Sequence, residues 1–214
     1  MHNNPVDYSN HIAIIGGGIS GLTLGCVLKN AKIPVIIFEK SNDVSDYGAG
    51  ISISPNGIRV LKYLDVYNEI ISVSANPKEA IYSSIKKKIA SFNVNVVTTS
   101  RKALYEVLYN KFKDMGGEIL FNHELLKADF ENLKLHFSNN NSYKVRHIAA
   151  CDGIKSICRH SIELQTDPEY SGYSIWRAIF NKKQKNIRTY LGPNHHIVTY
   201  PISDSKISFV AAIK

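Results

Sequence analysis

The stretch IAIIGGGISG, residues 12–21, places a four-residue apolar run directly before the glycine pattern GxGxxG. A short apolar run bounded by glycine is typical of a buried parallel strand. The next residues, to about Asn30, are predicted to form a helix, and a second apolar run, Val35 to Phe38, ends at Glu39. The sequence therefore predicts a βαβ unit from Ile12 to Glu39.

The glycine loop of this unit predicts a dinucleotide site. Gly16 permits the tight turn, Gly18 lets the backbone approach a pyrophosphate, and Gly21 lets the helix pack closely on the strand. Free N–H groups at the start of the helix favour an anion. A carboxylate at Glu39 can accept hydrogen bonds from ribose hydroxyls and would repel the 2′-phosphate of NADP. These residues indicate FAD or NAD; the alternative is a glycine-rich turn with an incidental glutamate.

The remaining pattern is α/β first and β-rich last, so we expect an α/β fold with a Rossmann-like domain and the start of a β-rich domain. The predicted elements are a helix from Ser54-Pro55, strands within Ala80–Thr98, a helix over Arg101–Met115, a strand over Glu118–Phe121, a β-meander over 124–137 and 143–151, and strands over Ile175–Phe180, His196–Tyr200 and Lys206–Ile213.

The net charge is +8, from 26 basic and 18 acidic residues. Such a balance attracts anions, including nucleotide cofactors, acidic substrates and nucleic acid. The lysine runs 86–88 and 182–185 lack the interleaved aromatic residues of a nucleic-acid site. We therefore interpret them as solvated surface and expect no nucleic-acid partner.

Several other classes of protein are not indicated. No apolar run approaches the roughly 20 residues that a membrane-spanning helix needs. The first ten residues lack the apolar core of a signal peptide, so we expect a cytoplasmic location. The three cysteines include no CxxC pair, so we expect reduced structural thiols and no metal site.

A second motif, DGIKSICR at residues 152–159, follows a predicted strand. An Asp-Gly pair at a strand end, followed by a short helix, would place a carboxylate and a flexible backbone near a bound nucleotide. The dipeptide taken alone is explained equally by an ordinary turn.

Taken together, the motifs resemble those of the FAD-dependent aromatic monooxygenases, flavoprotein hydroxylases of the para-hydroxybenzoate hydroxylase type, in particular salicylate-hydroxylase-like and urate-hydroxylase-like members. The resemblance spans Ile12 to about Ile213 and favours FAD over NAD. Its markers are the glycine loop with Phe38-Glu39-Lys40, the segment GAGISISPNG at 48–57, Ser100-Arg101 with Leu104, Asp152-Gly153, the segment YSGY at 170–173 with Trp176-Arg177, and Tyr200-Pro201.

The resemblance implies cofactor-binding roles in the βαβ unit. Gly16, Gly18 and Gly21 would cradle the FAD pyrophosphate. Glu39 would hold the adenosine ribose, and the adjacent Lys40 would also bind the cofactor.

Four further positions take roles from the resemblance. Ser52 would lie near the flavin, and Arg101 would contact FAD directly; the alternative for Arg101 is a surface arginine at a helix start. Leu125 would touch the adenine region, largely through its backbone. Asp152 would be the polar contact near FAD and the nicotinamide donor, with Arg159 as a helper for the donor's phosphates.

Two aromatic features of the β-rich segment stay open. The pair His195-His196 precedes a strand whose family counterpart faces the substrate, although a solvent-facing pair is the simpler interpretation. Trp176 and the tyrosines at 170–173 could line a pocket, but sheet packing explains them equally well.

The implied function is an FAD monooxygenase that uses NADH or NADPH and O2 to hydroxylate an aromatic or heteroaromatic small molecule. The sequence offers no evident acid–base catalyst and leaves a homo-oligomer open. The implied domains are an FAD-binding domain over 1–164, with inserted strands near 80–98, and an incomplete β-sheet substrate domain over 165–214.

One family signature, a Gly-Asp pair followed by proline, has no match after Asp152-Gly153; Asp204 is followed by Ser205. We therefore expect the N-terminal part of such an enzyme, or a truncated gene product. The alternatives are a non-catalytic FAD-binding remnant, a related flavoprotein acting on isoprenoids, and an NAD-linked dehydrogenase.

Overall fold

The computed structural model describes residues 7–42, 49–84, 86–162 and 167–214. The helices are α1 (Ile19–Asn30), α2 (Pro55–Tyr63), α3 (Tyr67–Ser72), α4 (Arg101–Asp114) and α5 (Ile157–Ile162). The strands are β1 (Ile12–Ile15), β2 (Val35–Phe38), β3 (Gly50–Ile53), β4 (Glu79–Ser83), β5 (Lys88–Asn93), β6 (Val97–Ser100), β7 (Glu118–Leu120), β8 (Leu125–Asp129), β9 (Lys134–Phe137), β10 (Ser142–Lys144), β11 (His147–Ala150), β12 (Ser174–Asn181), β13 (Ile187–Gly192), β14 (His195–Pro201) and β15 (Lys206–Ile213).

The described residues form two compact units, each built from two segments of the chain. The first unit takes its residues from Met1–Ser45 and Leu108–Glu169, and the second from Asp46–Val107 and Tyr170–Lys214. This arrangement differs from the two consecutive domains expected from the sequence, because β4 pairs in parallel with β13 and so groups residues near 80 with the C-terminal strands. The expected boundary at residue 164 lies outside the described residues.

The first unit contains a parallel sheet with the strand order β11-β1-β2-β7. Ile15 at the end of β1 pairs with Phe38 of β2 on one side and with Ala150 of β11 on the other. All four residues of β2 are buried, as expected of a strand covered on both faces. The predicted βαβ unit is therefore present with the strand bounds expected from its apolar runs.

The sequence predicted that β11 would belong to a β-meander, but β11 is not part of one. Only β8, β9 and β10 form the small antiparallel sheet of this unit, and β11 instead pairs in parallel with β1. The register joins His147 to Ile12 across more than a hundred residues, and no local pattern signals such a pairing.

The core of the first unit lies on both sides of the parallel sheet. On one side, Phe38 stacks on Phe137 at 4.6 Å between ring centroids, beneath the meander. On the other side, the fully buried ring of Phe112 in α4 packs against α1, where a Cβ at Gly25 would lie only 2.8 Å from that ring. A glycine in α1 thus allows the two helices to approach closely.

The second unit contains a six-stranded sheet with the order β12-β15-β14-β13-β4-β5 and a separate β3-β6 pair. The strands expected near 80–98 are present, but β4 and β5 extend the sheet of the C-terminal strands, and β6 pairs with β3. Helix α3 and strand β3 were not predicted from the sequence. The described residues include no helix long and apolar enough to cross a membrane.

We predict that Phe112→Ala destabilises the first unit by about 3–5 kcal/mol, because it removes a fully buried ring and leaves a cavity. The measurement is the free energy of unfolding in urea. Phe92→Ala is the matched control, since the Phe92 side chain is 59% exposed. Equal losses in the two variants would contradict this account of the core.

Candidate functional site

The carboxyl ends of β1 and β11 lie side by side in the parallel sheet, in which the chain gives β1 one neighbour on each side. From β1 it continues to β2 on one side, while β11 lies on the other side of β1. Such a switch point in an open parallel sheet opens a crevice in which ligands bind. The glycine loop follows β1, and the Asp152-Gly153 turn follows β11. The two motifs that the sequence singled out independently therefore meet at one place.

Direct backbone contact holds the two loops together. Gly16 has a φ of +102°, a conformation that other residues rarely adopt, and a Cβ there would overlap the carbonyl oxygen of Cys151. The amide of Gly16 donates to the carbonyl of Phe38 at 2.8 Å, and the amide of Cys151 donates to the carbonyl of Ile15 at 2.8 Å. A residue larger than glycine at position 16 would push the two loops apart.

Gly21 and Gly18 serve two different needs. A Cβ at Gly21 would overlap the carbonyl oxygen of Gly16, so Gly21 is required for the loop to close on the helix. A Cβ at Gly18 would meet no atom of the described residues within 4 Å, so the space above this backbone is open to that extent of the chain. The structure thus separates a glycine needed for packing from one that leaves room for a ligand.

The start of α1 offers unpaired donors to that space. Gly18 is the N-cap residue, no side chain among the described residues caps the helix, and its first turn carries no acidic residue. Backbone N–H groups at such a terminus, together with the positive end of the helix dipole, favour an anion. Because Gly18 is open and these donors are uncapped, the residues fit a pyrophosphate group.

Glu39 is half-buried, and both of its carboxylate oxygens already accept a hydrogen bond. The amide of Gly17 donates to Oε2 at 2.6 Å, and the amide of Ser41 donates to Oε1 at 2.9 Å. Each oxygen of an ionised carboxylate can accept a further bond, so the pair of ribose hydroxyls expected from the sequence can still be accommodated. The neighbouring Lys40 is exposed.

His123 supports Glu39 through a backbone hydrogen bond, and no pattern in the sequence indicated this role. Its backbone amide donates to the carbonyl of Glu39 at 2.9 Å. Its buried ring places Nδ1 2.7 Å from the carbonyl of Phe121 and Nε2 3.3 Å from the hydroxyl of Tyr143. The hydrogen bonds from the amides of Gly17 and Ser41 were not predicted either, because a backbone donor cannot be recognised from the side chain of its residue.

Asp152 organises the second loop. Its Oδ1 accepts from the hydroxyl of Ser156 at 2.6 Å, and its Oδ2 accepts from the amide of Cys158 at 3.1 Å. The Ser156 oxygen in turn accepts from the amide of Arg159 at 3.0 Å, and the Arg159 guanidinium donates to the carbonyl of Ile154 at 2.7 Å. The DGxxSxxR motif is therefore a closed turn that leads into α5.

The two cysteines beside Asp152 are poor nucleophiles. Burial, and then the negative charge of Asp152, raises the pKa of the Cys158 thiol to about 12. The same two causes raise the pKa of Cys151. Both thiols are protonated at neutral pH, and the described residues include no cluster of three or more His, Cys, Asp or Glu side chains suited to a metal ion. Neither thiol is therefore suited to act as a nucleophile in the crevice.

Leu125 is buried, with 6% of its surface exposed, in the core that includes Phe38 and Phe137. Its side chain is committed to packing, so only its backbone is available to a ligand. The contact of the Leu125 backbone with the adenine region stays a prediction.

Ser52 and Arg101 belong to the second unit. Ser52 is exposed on β3 and pairs with Thr98 of β6, and Arg101 follows β6 directly. The Arg101 amide donates to the carbonyl of Ala49 at 2.8 Å, while the Ser100 hydroxyl accepts from the Ala103 amide at 3.0 Å and caps α4. Because Ser100 caps α4, the half-buried guanidinium of Arg101 is not needed to cap this helix. Gly48, at the start of this marker segment, lies outside the described residues.

Comparisons with known proteins agree with this geometry. Residues 9–212 match the family model described as an FAD binding domain. Among curated relatives, 2,6-dihydroxypyridine 3-monooxygenase of Paenarthrobacter nicotinovorans is 26% identical over 91% of this chain and 51% of its own length. The 3-amino-4-hydroxybenzoate 2-monooxygenase of Streptomyces cremeus is 23% identical over 97% of this chain and 57% of its own length. The chain spans about half the length of the curated relatives it matches.

Solved structures show the same fold. A 2-methyl-3-hydroxypyridine-5-carboxylic acid oxygenase matches with a TM-score of 0.81 at 22% identity, over 96% of this chain and 59% of that one. HpxO of Klebsiella pneumoniae, solved with FAD, matches with a TM-score of 0.82 at 19% identity, over 94% and 56%. The resemblance to FAD-dependent aromatic monooxygenases is confirmed, and the chain belongs to the FAD binding domain family.

Proposed function

We propose that this chain binds FAD for an NAD(P)H-dependent monooxygenase that hydroxylates an aromatic or heteroaromatic small molecule. The observation that supports it most is the crevice between β1 and β11, where an open glycine backbone, uncapped helix donors and a carboxylate lie together. The match of residues 9–212 to the FAD binding domain family supports FAD as the dinucleotide.

Each group of the crevice takes one part of the cofactor in this proposal. The backbone N–H groups after Gly18 donate hydrogen bonds to the pyrophosphate. Neutral amides can bind this anion without a nearby cation. Glu39 accepts from the adenosine ribose hydroxyls, and the backbone at Leu125 borders the adenine. Asp152 and Gly153 line the crevice opposite the glycine loop, and Ser52 and Arg101 are proposed as the residues for the flavin portion.

FAD, when bound, supplies the transfer of electrons from a nicotinamide donor to O2, and the protein positions the reactants and excludes water. The aromatic substrate class is supported by the relatives, whose names specify a dihydroxypyridine and an aminohydroxybenzoate. Such rings are rich in electrons, as an oxygen-inserting reaction requires.

The direct test of the proposal is reduction of bound flavin without oxygen. The purified chain, reconstituted with FAD, should show a protein-bound flavin spectrum that bleaches when NADH or NADPH is added anaerobically, and the faster donor identifies the physiological one. A bound flavin that neither donor reduces, with or without hydroxypyridines or hydroxybenzoates, would contradict the monooxygenase proposal while leaving FAD binding intact.

A comparison of two glycine variants should separate binding from folding. Gly18→Ala should fold normally, because its methyl group meets nothing within 4 Å, but should weaken FAD binding about tenfold or more by occupying the pyrophosphate approach. Gly21→Ala should instead lose about 1–3 kcal/mol of stability through overpacking. Flavin fluorescence titration and urea unfolding measure the two effects; the reverse pattern would contradict the assignment.

Replacing the Glu39 carboxylate should weaken FAD binding while the glycine loop stays folded. Glu39→Gln keeps the shape but loses the charge, and hydrogen bonds to a charged group contribute about 1.5–3 kcal/mol, or about 10- to 100-fold in Kd. The measurement is calorimetric titration with FAD. Glu131→Gln, at an exposed position, is the control. An unchanged Kd in a folded Glu39→Gln protein would refute the role of this residue.

A further inference from the structure

The backbone of Glu39 is held by the segment that follows β7. Its amide donates to the carbonyl of Leu120 at 2.9 Å, and its carbonyl accepts from the amide of His123 at 2.9 Å. Glu39 lies just beyond Phe38, the last residue of β2, so these two bonds fix the point from which its side chain extends. The position of the Glu39 carboxylate therefore depends on the shape of residues 120–123.

Residues 120–123 form a turn around the end of β2. Leu120 and His123 both bond to Glu39 although they are three positions apart, so the chain between them leaves the extended conformation. Asn122 has a φ of +57°, in the left-handed region where asparagine is enriched among residues other than glycine. Its amide donates to the carbonyl of Ser41 at 3.3 Å. This turn thus contacts the chain on both sides of the Glu39 side chain.

The side chain of His123 closes the turn. Its Nδ1 lies 2.7 Å from the carbonyl oxygen of Phe121, and because a carbonyl can only accept, Nδ1 carries the proton. In the neutral ring Nε2 is then an acceptor, and the hydroxyl of Tyr143 on β10, 3.3 Å away, can donate to it. The imidazole therefore ties the turn after β7 to the small antiparallel sheet.

The ring of His123 is buried, so its hydrogen bond has to be separated from its packing. The ring centroids of Phe38 and Phe137 lie 5.6 Å and 5.2 Å from it. A buried ring contributes to stability through packing alone, whatever its polar atoms do. The Nδ1 bond acts differently, because it fixes Phe121, the residue directly after the carbonyl that holds the Glu39 amide.

A small displacement of Glu39 would affect the ribose more than the pyrophosphate. Hydrogen bonds weaken steeply away from their preferred geometry, and a binding group needs to be held within about 0.5 Å of its productive position. If the turn relaxed further than that, the carboxylate would move away from the ribose hydroxyls. The amides at the start of α1 would stay in place, because they belong to a different loop.

From these contacts we propose that His123 is a positioning residue for Glu39, and that it determines how strongly the crevice selects an adenosine nucleotide over its 2′-deoxy counterpart. The inference rests on the proposed function, in which Glu39 accepts hydrogen bonds from the adenosine ribose. The Nδ1 bond holds the turn, the turn holds the backbone of Glu39, and the carboxylate keeps the orientation that meets the 2′-hydroxyl.

The test compares the Kd of ADP with that of 2′-deoxy-ADP by calorimetric titration of the purified chain. Because a hydrogen bond to a charged group is stronger than one between neutral groups, the unmodified chain should bind ADP about tenfold more tightly than 2′-deoxy-ADP. Glu39→Gln should reduce this ratio of Kd values to about threefold or less.

Two variants of His123 separate the hydrogen bond from the packing. His123→Phe keeps a buried ring but has no donor for the Phe121 carbonyl, so the ratio should fall to about threefold or less. His123→Asn removes the ring but keeps an N–H donor next to the position of Nδ1, so a ratio of about fivefold or more should remain. Packing alone predicts the reverse order of these two ratios.

Leu135→Ala is the matched control, because Leu135 is fully buried in the same core and its side chain has no polar group. This variant should be less stable in urea but keep the ratio of the unmodified chain. In Glu39→Gln/His123→Phe the ratio should fall no further than in Glu39→Gln alone, since the two residues act through one carboxylate.

The outcomes distinguish this inference from the proposed function. If Glu39→Gln loses the preference for ADP while His123→Phe keeps it, the role of His123 is wrong and that of Glu39 stands. If the unmodified chain has no preference, or Glu39→Gln keeps it, the ribose assignment of Glu39 is wrong and the inference falls with it. If His123→Phe does not fold, His123→Asn decides, and a ratio as low as that of Glu39→Gln would overturn the inference.

Discussion

The architecture of the crevice depends on one steric constraint, the contact of backbone with backbone where β1 and β11 end. Neither Gly16 nor Gly21 has room for a Cβ, because the carbonyls of Cys151 and of Gly16 itself occupy the space. This closeness fixes where α1 begins and keeps the Asp152 turn beside the glycine loop. If Gly16 carried a side chain, the two loops would separate and the uncapped amides of α1 would no longer face a shared space.

The two carboxylates at the crevice are held in place by hydrogen bonds within the protein. Glu39 holds the amides of Gly17 and Ser41, and Asp152 holds Ser156 and the amide of Cys158. Each carboxylate is thus locked in orientation before a nucleotide arrives, so less conformational entropy remains to be lost on binding.

The sequence predicted the local parts of this structure and missed the long-range ones. The apolar runs of β1 and β2, the glycine loop and the helix from Arg101 follow from patterns within about 15 residues. The pairing of β11 with β1, and of β4 with β13, has no such pattern, because parallel neighbours are chosen by the packing of the whole sheet. Glu39 was predicted from its position at a strand end, whereas its supports, the amides of Gly17 and Ser41 and the ring of His123, lack any sequence signal.

In the proposed complex, the nucleotide lies across the ends of β1 and β11. Two-dimensional NMR of the 15N-labelled chain, titrated with ADP, tests this placement, since ADP carries the pyrophosphate and adenosine ribose of FAD. We expect saturable shifts for the amides of Gly17 to Gly21, Ser41, Asp152 and Gly153. Saturable shifts that leave these amides unmoved, or the absence of any saturable shift, would contradict it.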